Sequence, residues 1–130
     1  MNAVDDRRTS LEAQRIRRSL SVFTVAALLH TVVDPAVTYL AVVHFEVGSE
    51  LNTFLRPWLH AGLFPFVLVH LPLYALSISG GLALRYLLQR ASTRERVIIY
   101  YLSLAGFGGV ACWGLLLVGN TLWVLWIGLF

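Results

Sequence analysis

The chain has 130 residues, of which 58% are hydrophobic and 13% charged, and its mean hydropathy is +0.73. A water-soluble core of this size cannot bury that much apolar surface, which excludes an ordinary soluble domain and points to an integral membrane protein. The basic residues behind the net charge of +3 are all arginine and cluster beside apolar runs with no nucleic-acid module around them, so anionic lipid headgroups are the expected partner and nucleic acid is not.

Residues 1–19 form a basic N-terminal segment carrying Arg7, Arg8, Arg15, Arg17 and Arg18. Leu11, Ile16 and Leu20 give it a weak apolar stripe. This predicts a surface-lying helix that merges into the first span, with a partly disordered tail as the alternative. The remainder, 20–130, reads as a single transmembrane helical domain.

The first span is predicted over 20–46. It is about twice as long as a signal-peptide core and is followed by Glu46-Val47-Gly48 in place of a small-x-small site, so it is expected to be retained. Its Leu, Val and Phe residues contribute about −0.3 to −0.6 kcal/mol each to insertion, which Asp34, His30 and Pro35 largely offset. Pro35 removes a backbone hydrogen bond, which predicts a kink and a freed carbonyl at Thr31.

Gly48 suits the end of this helix, and Ser49 to Thr53 are rich in residues that cap the next one. Phe54 to His60 are predicted to form a short interfacial helix with Trp58 at headgroup depth. A second span, 62–88, begins near Pro65 and should be kinked by Pro72; Ser77 and Gly81 offer a flat face to a neighbour. In the third span, 97–118, Ala105 and Gly109 form a small-x-x-x-small pair, and Gly106, Gly108 and Gly114 thin the helix further. Cys112 is the one cysteine, so no internal disulfide can form. Residues 119–130, with Trp123 and Trp126, either extend the third helix or lie in the outer interface.

These elements define an all-α integral membrane bundle of three transmembrane helices with a short interfacial helix in the first loop. Arg85, Arg90, Arg94 and Arg96 lie between the second and third spans, and Arg56 is the one base between the first and second. The positive-inside rule then predicts a multi-pass protein with its N-terminus in the cytoplasm and its C-terminus outside.

His30, Asp34 and Thr38 recur every four residues and share one helix face. In an antiparallel pair of helices, His70 comes level with Thr38 and within a turn of Asp34, at a depth of roughly 12–18 Å from the outer end. An ionisable side chain inside a span costs about 2.5–3.5 kcal/mol on insertion scales and marks a partnered or functional group. Three readings follow. The polar centre binds a proton, cation or small polar ligand; or Asp34 and His70 are interhelical glue in a structural or assembly subunit of a membrane complex; or His30, Asp34 and His70, with Glu50 or His44, hold a divalent metal in an intramembrane hydrolase. The first is preferred, with no catalytic residue assigned and no cofactor predicted. So short a bundle favours a homo-oligomer or a membrane-complex partner.

Taken in order, Asp34, Thr38, Gly48, Glu50-Leu51-Asn52 and the polar His70 resemble a family of small prokaryotic three-helix membrane proteins described as a domain of unknown function. The resemblance spans roughly 28–88. The family's pattern is Asp-x-x-x-Thr in the first helix, then Gly and Glu-x-Asn-Pro in the loop, then usually a lysine in the second helix; here Thr53 stands in the proline position and His70 near the lysine. The resemblance implies a shared architecture and polar site. Glu50 and Asn52 are expected either to cap the loop or to fold inward over the mouth of that site.

Overall fold

The computed structural model describes residues 3–130, and the described residues form helices, 86% of the structure, with no strand. Helix α1 (Ala3–Leu28) runs without a break into a π-helical turn (Leu29–Val33), helix α2 (Asp34–Tyr39) and a second π-helical turn (Leu40–His44), making one rod. Then come a five-residue α3 (Arg56–His60), α4 (Leu63–Val69), α5 (Leu71–Arg90) and the 37-residue α6 (Thr93–Leu129). Three segments are long and apolar enough to cross a membrane: Thr9–His44, Leu71–Arg90 and Thr93–Leu129.

One element differs from the sequence expectation. The N-terminal segment does not turn aside as a surface helix at residue 19, because Ser19 is fully buried against α6, where its hydroxyl accepts a 2.8 Å hydrogen bond from Ser103. A turn away from the bundle there would break this interhelical hydrogen bond, although Ser103 would keep its 2.9 Å contact to the Tyr100 carbonyl. Of the two alternatives for the C-terminal residues the first holds: they continue α6, giving a helix about 55 Å long. The loop after the rod docks on that extension. Gly48, at φ +81°, places its Cα where a Cβ would come 3.3 Å from Val124, and Val47 packs against Gly128.

The start of α6 is fixed by a capping box. Ser92 Oγ accepts from the Glu95 N–H, and the Glu95 carboxylate accepts from the Ser92 N–H at 2.8 Å. At the same end of the bundle, Arg96 ion-pairs with Glu12 of α1 and donates to the Leu88 and Ala91 carbonyls at 2.9 and 3.0 Å, closing the last turn of α5.

The rod is the centre of the molecule. It packs on both α6 and α5, which barely touch each other beyond the short turn that joins them. Phe23 is the wedge. Its ring stands edge-on to Phe107 of α6 at 4.9 Å, and it lies so close to α5 that a Cβ on Gly81 would come within 2.9 Å. Ala26, Leu29 and Ala111 complete a small core beside it. Gly114 lets His30 and Leu29 approach α6, whereas Gly106, Gly108 and Gly109 have nothing within 4 Å of a notional Cβ. The small residues around Ala105 and Gly109 therefore do not mediate packing within the chain. Elsewhere large apolar side chains point outward, among them Ile78, Leu102 and Leu116, each about two-thirds exposed.

Candidate functional site

Because α5 and α6 diverge on either side of the rod, they leave a cavity of about 950 Å³ with the rod as its floor. His30, Asp34, Thr38, Glu50 and His70 all line it. The four-residue spacing thus brings the polar stripe to one face, even though a π-helical turn, with the Asp34 N–H bonded to the Leu29 carbonyl, lies within it. Such turns insert a residue into the helical register and are frequent at functional sites.

The second span is interrupted at His70 (φ −87°, ψ −7°), where the regular hydrogen-bond ladder breaks between α4 and α5. Pro72 is the cause, since it has no N–H to donate to the Leu68 carbonyl. The His70 N–H bonds the Val67 carbonyl at 3.1 Å, leaving the Phe66 carbonyl without its usual partner, and the His70 ring Nδ1 takes that role at 2.7 Å. A carbonyl only accepts, so Nδ1 carries a proton and the neutral ring keeps Nε2 as an acceptor. His30 is held in the mirror sense. Its Nε2 donates to the Val110 carbonyl of α6 at 3.0 Å, leaving Nδ1 as the free nitrogen.

Each imidazole therefore gives one ring nitrogen to a main-chain carbonyl, and among the described residues no hydrogen bond joins Asp34 to His70. Among the described residues the Asp34 carboxylate makes no hydrogen bond and no ion pair, and the one ion pair is Arg96–Glu12 at the far end of the bundle. The titratable groups that act on Asp34 through space are His30, Glu50 and His70. No arginine lines the cavity. Its walls are apolar and aromatic, with Phe23, Phe66, Phe107 and Trp113 contributing rings.

Glu50 and Asn52 separate. Asn52 is a capping residue: its side-chain oxygen accepts from Phe54 N–H at 3.0 Å, its carbonyl accepts from Leu55 and Arg56, and it does not line the cavity. Glu50 does both, accepting from the Asn52 N–H at 2.6 Å while facing the cavity. What holds it there is Arg56, whose guanidinium donates twice to the Glu50 carbonyl, at 2.9 and 2.7 Å. The sequence reading gave Arg56 no role beyond topology, although its isolation as the one base in that loop was the available signal.

Among the described residues no three His, Cys, Asp or Glu side chains are grouped so as to hold a metal ion. His30, Asp34 and His70 share a cavity without forming a ligand set. The arrangement is that of an all-helical protein with three apolar helices of membrane-crossing length around an acid-floored, arginine-free cleft. No family model matches the chain, and no curated protein or solved structure is significantly similar to it.

Proposed function

We propose that the chain is an integral membrane protein, with its N-terminus cytoplasmic and its C-terminus outside, whose Asp34 cleft binds a proton or a cation with an apolar body. The observation that carries this reading is the unpaired Asp34 carboxylate in a cavity lined by a second carboxylate, four aromatic rings and no arginine. What favours it over interhelical glue is that the Asp34 carboxylate makes no hydrogen bond or ion pair among the described residues. A cation would find carboxylate oxygens on the floor and ring faces on the walls, and the cavity lies within the usual size of a small-molecule site. The Asp, Thr, Gly and Glu-x-Asn order shared with the three-helix family described above supports a polar site in the same place.

The test is proton release. Detergent-purified protein is titrated with tetraphenylphosphonium in weakly buffered solution below the carboxyl's own titration range. Binding with release of up to one proton per cation is expected, and Asp34→Asn, eluting normally from a sizing column, should lose both. Binding unaffected by Asp34→Asn, or no binding at any pH, would overturn the proposal. If Asp34→Asn instead fails to accumulate or assemble, the structural reading gains.

A further inference from the structure

The other end of the bundle carries a second cavity, about 700 Å³, between α1 and α5. Arg17 and Arg85 line it from opposite helices, with Gln89 beside them and no acidic side chain among the lining residues. Three other arginines are occupied: Arg96 by Glu12 and two carbonyls, Arg56 by the Glu50 carbonyl, and Arg90 by the Tyr86 ring at 4.7 Å. Arg17 and Arg85 have no such partner. The nearby Ser21 and Thr24 hydroxyls donate to carbonyls of their own helix at 2.9 and 2.8 Å, so the free donors converging here are two guanidiniums and an amide.

We propose that this cavity is a specific site for an anionic phospholipid, with Arg17 and Arg85 clamping the phosphate and the acyl chains lying against Leu20 and Val25. Planar guanidiniums match phosphate oxygens bidentately, and basic pockets between membrane helices are suited to anionic headgroups. What selects a lipid over a free phosphate is the gradient along the groove. From Arg17 to Val25 it passes from charged to apolar over about 12 Å of helix, following the polarity of a phospholipid from headgroup to chain. The site rests on the membrane-spanning reading and is independent of Asp34.

The full-length protein, purified in a nonionic detergent, is melted with added phosphatidylglycerol, phosphatidylcholine or inorganic phosphate, and retained lipid is counted by native mass spectrometry. Phosphatidylglycerol should raise Tm and be retained near one per chain at least tenfold over phosphatidylcholine, while inorganic phosphate should do neither. Arg17→Ala and Arg85→Ala should each lose that preference, and Arg94→Ala, outside the cavity, should keep it. Equal retention of the two lipids by the unmodified chain, protection by inorganic phosphate alone, or an undiminished preference in the Arg17→Ala, Arg85→Ala double variant would overturn the site. The lipid competition on the unmodified chain decides the matter even where a variant fails to fold. Release of the chain from membranes by alkaline carbonate without detergent would instead refute the membrane reading.

Discussion

Replacing Gly114 by alanine sets two ordinary effects against each other, and the structure decides between them. Alanine is the better helix former by about 1 kcal/mol. The added Cβ, however, would lie 3.0 Å from His30 Nε2 and 3.1 Å from Leu29 Cβ, where atoms of this kind rest at about 3.5–4.0 Å. The rod and α6 must then separate by roughly 0.5 Å, and overpacking of this sort costs about 1–3 kcal/mol. The shift also stretches the 3.0 Å bond from His30 to the Val110 carbonyl, worth about 0.6 kcal/mol between membrane helices. The expected net is a loss of about 1–2 kcal/mol. Gly108→Ala on the same helix meets nothing within 4 Å and should be neutral or stabilising by up to about 1 kcal/mol, so the two variants differ by about 2 kcal/mol, or roughly thirtyfold in the unfolding equilibrium. Reversible unfolding in mixed micelles with rising dodecyl sulfate measures both. Adding His30→Ala to Gly114→Ala should recover part of the loss, because one of the two close contacts is then gone. A Gly114→Ala protein as stable as Gly108→Ala would refute the packing of the rod on α6. Destabilisation by Gly108→Ala would instead show that a second copy or a partner covers that face.

Ser92→Ala removes the cap of α6 and should cost about 1 kcal/mol in the same assay, with Ser92→Asp restoring most of it. Arg96→Ala should cost more than Glu12→Ala, about 1–2 kcal/mol against less than 1, since Arg96 also serves the Leu88 and Ala91 carbonyls; equal losses would mean that the ion pair alone matters. His70→Asn keeps a donor able to reach the Phe66 carbonyl, whereas His70→Phe does not. The first should unfold near the parent's midpoint and the second about 1 kcal/mol below it.

The parts of the fold legible in the sequence are those set by local chemistry. Run length and composition locate three apolar helices, proline chemistry places the break near Pro72, and the spacing of His30, Asp34 and Thr38 brings them to one cavity. The ends of the helices were not legible in the same way. Hydropathy registers where apolar character stops, and α6 continues past it because residues 119–129 gain a partner in the loop at Val47 and Gly48, a contact distant in sequence. The Ser-x-x-Glu box at 92–95 was a local signal for the other end of α6 and extends that helix by a turn before the apolar stretch begins.

The partners of the two histidines were illegible for a different reason. A sequence shows which side chains can meet, and Asp34 with His70 was the natural pair. A backbone carbonyl becomes a competing acceptor only where the helix is broken or thinned, and both conditions hold here. Pro72 breaks the ladder beside His70, and Gly114 thins α6 so that His30 reaches Val110. Each of these backbone features takes one nitrogen of a neighbouring imidazole, and the Asp34 carboxylate lines the cavity with no hydrogen bond of its own among the described residues.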